Sequence, residues 1–319
     1  MSLRCFALVS LLTPVSAAVP VVRLRNGVEM PLIAAGTWKY NVTEAEASVS
    51  AALNVGFIMV DTAYDYYNQA GVGRAIHKHN ASRSSLFVET KVPGCGFDGV
   101  TTDDCYNHTK TVLETDLSLL KMDYVDLVII HFPPKASFFM RSCHLWVCTQ
   151  VQDQWRALEE FYAAGKAKAI GVSNFCPSCF ACLDDKAKVF PMVNQVAYHI
   201  GMGADPSGFR SYAEKRGLVI QAYSPLGGMA SLTKEILSGE FTTSLAKAHG
   251  KSTATIALKY LVQRGVPTIT KSSNPVHLAD DLDLWSWNLT DAEMAAADKY
   301  HVFGMPSFAC NFEDSTTIV

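Results

Sequence analysis

The chain has 319 residues, 49% hydrophobic and 18% charged, with a formal net charge of -3. This is an ordinary globular balance that fits one large α/β domain or two small ones. It supplies no basic patch for nucleic acid and no apolar run long enough to span a bilayer.

The N-terminus stands apart from the rest. A short n-region ending in Arg4 precedes the apolar core CFALVSLL (Cys5 to Leu12), and VSAAVP (Val15 to Pro20) offers small residues for cleavage. The pattern resembles a secretory signal peptide over residues 1–18, with a docking arm as the alternative. Two further features agree with it. Removing the leader removes Cys5 from nine cysteines and leaves an even set, as a disulfide framework requires. Sequons occur at Asn41 (NVT), Asn80 (NAS), Asn107 (NHT) and Asn288 (NLT). The expectation is a glycoprotein of the secretory pathway or the extracellular space, free of the membrane after leader cleavage; the cytoplasm is the alternative.

After the leader, RLRNGVEMPLI carries Asn26-Gly27 between alternating segments, a hairpin signal. LIAAGTW follows as a strand, then VDTAYDYYN. GVGRAI (Gly71 to Ile76) looks like a fragment of a Gly-rich dinucleotide loop, but it lacks the third glycine and the tight strand-to-loop join, so a helix start is the better reading. LFVETK is a strand. TVLETDLSLLKM puts Leu113, Leu117 and Leu120 on one helical face; VQDQWRALEEFYAAGK does the same with Val151, Trp155, Leu158 and Tyr162. VDLVIIH, AKAIGVSN, MVNQVAYH, LVIQAYSP and PTITKS are short apolar runs that suit strands buried on both faces of a parallel sheet. Each run ends in polar chemistry: Asp61, Lys91, His131, Ser173-Asn174, Asn194-Gln195, Tyr223-Ser224 and Lys271-Ser272. An open sheet gathers ligand groups at a switch point, whereas a closed barrel gathers them from nearly all strand ends. The pattern predicts a single (β/α)8 TIM barrel over residues 19–319, with an N-terminal β-hairpin cap.

VDTAYDYYN poses a chemical question, because one aspartate is followed by Tyr64, Tyr66 and Tyr67. A tyrosine serves as a proton donor only where its surroundings tune a pKa near 10. Taken alone, the stretch is a strand end running into an aromatic turn.

Asp61, Tyr66, Lys91 and His131 resemble the catalytic tetrad of the aldo-keto reductase family. GTW (Gly36 to Trp38), DTAxxYxN, the lysine of ETK, YVDLVIIHFP, GKAKAIGVSNF, VNQVAYH, AYSPLG and KSSNP match the family's motifs in its order, over nearly all of the chain after the leader. The resemblance implies an NADP-dependent oxidoreductase on a (β/α)8 barrel. It would reduce aldehydes or ketones to alcohols by hydride transfer from NADPH, with NADH a possible second donor. Its acid lies five residues after the aspartate, which selects Tyr66. The ammonium of Lys91 is expected to lower the Tyr66 pKa, Asp61 to hold Lys91, and His131 to orient the carbonyl. Carried over in the same way, Gly36, Thr37, Trp38, Asp61, Ser173, Asn174, Gln195, Tyr223, Ser224, Leu226, Gly227, Lys271, Ser272 and His277 contact the cofactor. Trp38, His131 and Phe132 contact a small carbonyl substrate, and the barrel acts as a monomer without metal. A non-catalytic NADP(H)-binding barrel with a regulatory or structural role is the alternative.

Several positions depart from the family pattern. Its usual Gly-Asn-Glu after the tyrosine reads Tyr67-Asn68-Gln69, an expected arginine is His277, and Phe132 stands where many members carry Trp. The chain between Lys91 and His131 is longer, through GCGFDGVTTDDC with Cys95 and Cys105. Closeness in sequence predicts the pairs Cys95–Cys105 and Cys143–Cys148, and leaves Cys176, Cys179, Cys182 and Cys310 unassigned. CPSCFAC (Cys176 to Cys182) lacks the companion ligands that a metal or Fe–S site would need.

Overall fold

The computed structural model describes residues 19–135, 143, 147–228 and 230–302; the leader, Trp146 and Cys310 lie outside them. Two short antiparallel strands, β1 (Val21–Arg23) and β2 (Glu29–Pro31), form the expected hairpin. Its turn depends on Gly27, which takes φ 88°, a value that residues with a Cβ rarely adopt. Asn26 Nδ2 donates to the Lys168 carbonyl at 2.8 Å, close to the start of a barrel strand. The hairpin therefore closes the end of the barrel opposite the strand C-termini.

Eight strands follow: β3 (Ile33–Gly36), β4 (Met59–Asp61), β5 (Phe87–Val92), β6 (Val125–Ile130), β7 (Ala167–Ser173), β8 (Val193–Ala197), β9 (Val219–Tyr223) and β10 (Thr268–Thr270). They pair in parallel in chain order, and β10 returns to β3 to close the barrel. Strands β5 and β6 are buried at every position, so their apolar residues pack on both faces and their polar residues, Glu89, Thr90, Lys91 and Asp126, must find partners inside the fold. Parallel neighbours need long crossovers, and helices supply them. In the helix Cys148–Ala163 the face read from the sequence is the buried one: Val151, Trp155 and Leu158 all lie in the core.

The glycines of GVGRAI have a packing role. They sit in the helix Gln69–Lys78, where a side chain at Gly71 would strike the Val42 carbonyl and one at Gly73 the Leu120 carbonyl. The helix is thus wedged between Val42–Val55 and Cys105–Leu120 at backbone contact.

Cys95 and Cys105 are bonded as expected. The Cys143–Cys148 pairing is not: Cys143 bonds Cys179 and Cys148 bonds Cys182. Closeness in sequence misled because the chain after β6 lies across the short helix Pro177–Ala181. There Ser178 Oγ accepts from the Cys143 amide at 3.0 Å, and the Cys182 carbonyl accepts from Gln152 at 2.9 Å. The segments that leave β6 and β7 are therefore stapled together. Cys176 is also disulfide-bonded. CPSCFAC is consumed by disulfides, and no metal-binding cluster occurs among the described residues.

Peptide mapping without reduction should recover Cys143–Cys179 and Cys148–Cys182; a Cys143–Cys148 peptide would overturn this arrangement. Replacing Cys143 and Cys179 together by serine should cost roughly 2–4 kcal/mol of unfolding free energy, measured by denaturant titration.

Candidate active site

A cleft of about 690 Å³ opens at the C-terminal ends of the strands, and Asp61, Tyr66, His131, Asn174, Gln195, Tyr223 and Lys271 all line it. Lys91 lies beneath its floor, fully buried. Its Nζ donates to Asp61 Oδ2 at 2.5 Å, to the Thr62 carbonyl at 2.9 Å and to Tyr66 Oη at 3.3 Å. The pairing of β4 with β5 sets this contact: Asp61 lies opposite Glu89, and Lys91 is two residues further along the same face.

Burial acts to strip the proton from Lys91, but its acidic neighbours, Asp61 first and then Tyr66 and Glu89, outweigh it and hold the ammonium above its ordinary range. Tyr66 departs from expectation. Burial raises its pKa, Lys91 lowers it, and Asp61 and Asp65 raise it again, so the balance lies above the ordinary 10 rather than below it. Lys91 moderates the rise without reversing it. The phenol consequently carries its proton throughout the neutral range and is available as a donor.

His131 completes the floor. Its ring stacks on Phe132 with centroids 4.3 Å apart, meets Tyr66 edge-on at 5.6 Å, and has its backbone carbonyl held by Asn174 Nδ2 at 3.2 Å. Nδ1 faces the Asp65 carboxylate, 2.9 Å from Oδ1 and 2.8 Å from Oδ2. Trp38 stands 48% exposed at the rim, where it is accessible to a substrate.

The remaining predicted residues form an arm running from this floor to Lys271. Asn174 and Ser224 hold left-handed backbone at φ 60° and 51°, a strain that functional sites commonly store. Tyr223 donates to Asn174 Oδ1 at 3.0 Å. The amide nitrogen of Gln195 is turned inward to Glu89 at 2.8 Å and Gln221 at 2.9 Å, which leaves its carbonyl oxygen to offer to the cleft. Gly36, Trp38, Leu226 and Gly227 also line the cleft, whereas Thr37, Ser173, Ser272 and His277 do not. Thr37 is buried and donates to the Asp61 carbonyl at 3.0 Å; Ser173 is buried and accepts from Asn174 at 2.9 Å. His277 is exposed on the helix Pro275–Leu282, whose N-cap Asn274 follows Ser272 closely. Tyr223 beside Asn174, the Gly227 backbone and the more distant Lys271 offer the chemistry that a nicotinamide dinucleotide would need.

Three residues escaped the sequence reading. Glu89 and Gln221 sit with Gln195 inside the barrel, and Gln221 Nε2 donates to Glu89 Oε2 at 2.6 Å. The signal for Glu89 was available, because it stands two residues before Lys91 on one strand and so shares its face. Asp65 had no such signal, since it lies in the helical turn Tyr64–Tyr66 where strand parity fails.

Comparison with known proteins identifies the family. The Aldo/keto reductase family pattern matches residues 32–301. The chain is 35% identical over 278 residues to a glyoxal reductase of Bacillus subtilis, covering 87% of this chain and 91% of that protein. The structure of MGS-M4, an aldo-keto reductase from a Medee basin deep-sea metagenome library, superposes with a TM-score of 0.77 at 32% identity, covering 92% of this chain and 98% of that one. A variant of Gox0644 in complex with NADPH gives a TM-score of 0.77 at 28% identity, covering 91% and 98%.

Glu89 gives the barrel interior a pH dependence. Burial, and then the charge of Asp61, push its carboxyl up to about 8 from an ordinary 4.5. A folded-state value above the unfolded one means that the unfolded chain releases this proton first, so stability falls as pH rises from about 4.5 to about 8. Glu89→Gln removes this dependence. The variant should therefore gain on the wild type across that window, by at most about 1.4 kcal/mol per pH unit. Urea unfolding at pH 5, 6.5 and 8 tests this, and an equal difference at all three would refute it.

Proposed function

Because the chain belongs to the aldo/keto reductase family, and so is an NAD(P)-dependent oxidoreductase of carbonyl groups, we propose that its cleft reduces a small aldehyde or ketone with Tyr66 as general acid. The observation that carries the reading is the buried Lys91 ammonium touching both Asp61 and Tyr66. NADPH supplies the hydride when bound. Asn174, Gln195 and Tyr223 would hold its nicotinamide end, with Ser173 supporting Asn174. Ser224, Leu226 and Gly227 would lie along the pyrophosphate, and Lys271, Ser272 and His277 would lie near the adenosine phosphate. As negative charge grows on the carbonyl oxygen, Tyr66 gives it a proton and His131 steadies it by a hydrogen bond. A regulatory barrel without activity would not need this buried cation at the cleft floor, and it is not favoured.

We also place the chain in an oxidising compartment, as one barrel domain over residues 19–319 that acts as a monomer. Support comes from the disulfides that join its loops and from exposure of all four sequon asparagines, Asn41, Asn80, Asn107 and Asn288. Among the described residues no helix is long and apolar enough to cross a membrane.

Tyr66→Phe should lower aldehyde reduction by about 10²–10⁴-fold while NADPH still quenches protein fluorescence. Activity within threefold of wild type would remove Tyr66 from the acid role. His277→Arg adds a fixed charge and a planar fork suited to phosphate. NADPH should bind roughly tenfold tighter in that variant, with NADH little changed. An unaltered NADPH/NADH ratio would place His277 outside the phosphate site.

A further inference from the structure

Among the described residues, Asp65 is the cleft-lining carboxylate that the reaction described above does not use. Its side chain is 12% exposed and that of His131 is 11%, so water screens their contact poorly. The imidazole lies between two rings, stacked on Phe132 and meeting Tyr66 edge-on, and its backbone is held as well. Phe132 covers one face, the His131 amide donates to the Val92 carbonyl at 2.8 Å, and Asn174 holds its carbonyl. Nδ1 therefore stays against the carboxylate.

A carboxylate oxygen can only accept, so Nδ1 must carry a hydrogen. A neutral ring with its proton on Nε2 would instead aim a lone pair at a negative charge. We propose that Asp65 is a positioning residue that fixes Nδ1 of His131 as a donor. Nε2 then donates to a substrate oxygen only when the ring carries both protons, and accepts when it carries one. The doubly protonated ring supports carbonyl reduction. The singly protonated ring accepts a hydrogen bond from an alcohol and supports the reverse oxidation. The inference rests on reading this cleft as a carbonyl-reducing site.

The groups facing His131 are Asp65 and Tyr66 from the turn and Asn174 beyond β7; Lys91 and Asp61 reach it through Tyr66. Glu89 also titrates near neutrality, behind Gln195, and must be told apart. Asp65→Asn does this. Its side chain is neutral and no longer requires a hydrogen on Nδ1, and an N–H turned toward the ring leaves the proton of the neutral ring on Nε2.

The test is reduction of 4-nitrobenzaldehyde at saturating NADPH between pH 6 and 9. The wild-type kcat should fall by about tenfold or more, as loss of one required proton demands. In Asp65→Asn it should change by less than threefold, and Asp65→Glu should restore the fall. Nitrogen-15 imidazole spectra at pH 8, assigned with His131→Gln, should show the His131 proton on Nδ1 in the wild type and on Nε2 in Asp65→Asn. A wild-type proton on Nε2, or a fall retained in an Asp65→Asn variant whose spectrum shows the proton on Nε2, overturns the proposal. A wild type that reduces no carbonyl at all defeats the functional reading instead, and the spectra still decide the role of Asp65.

Discussion

The active site depends on one buried ion pair, Lys91 with Asp61. An ammonium taken fully out of water is tolerable only where a counter-charge and further acceptors replace its hydration, and removing one partner of such a pair typically costs about 3–5 kcal/mol. Asp61, the Thr62 carbonyl and Tyr66 supply those acceptors. All three come from the end of β4 and the turn beyond it, so this short stretch is positioned by the cation it surrounds. The pair explains how a charged cluster persists out of water at the mouth of the barrel.

A second polar layer extends the same logic inward. Glu89 accepts from two amide side chains, Gln195 and Gln221, and Gln195 also lies 3.3 Å from Asp61. A barrel built for stability alone would fill this space with branched apolar side chains. Here the space holds amides and a carboxyl whose ionisation is opposed by burial. The gain lies in orientation, since Gln195 has its nitrogen engaged inside and its oxygen left for the cleft.

Much of this was legible in the sequence, for physical reasons that differ by element. The strands could be read because double burial demands short unbroken apolar runs, and their polar ends marked the catalytic face of the barrel. Tyr66 was set apart from Tyr64 and Tyr67 by the family spacing, five residues after Asp61. The sign of its pKa shift was not legible, because it is a sum of burial and three charges that only coordinates can weigh. The pairing of Cys143 and Cys148 failed for a related reason. Distance along the chain ranks contacts poorly once a loop crosses a neighbouring helix, and Ser178 beside Cys143 is the visible sign of that crossing. Asp65 stayed hidden because its partner lies 66 residues away.

The two sides of the cleft are held by different means. On the substrate side, the segments after β5, β6 and β7 are tied by Cys95–Cys105, Cys143–Cys179 and Cys148–Cys182. The insertion also reaches across to the rim: Asp98 accepts from Tyr67 at 3.1 Å, and Phe97 lies against Phe132 with ring centroids 5.8 Å apart. On the cofactor side, the segment after β9 is held without covalent links among the described residues. There Gly227 and Gly228 take positive φ, and Ser224 is in the left-handed region. Covalent bonds fix the wall against which a carbonyl must be aimed, where small displacements are expensive in rate. A Cβ at Gly227 would meet Leu232 and one at Gly228 would meet Ser224, so these glycines let the segment fold closely on itself. On the proposed function, the covalent ties would steady the wall that faces the substrate, and the glycine-bearing segment would lie along the cofactor.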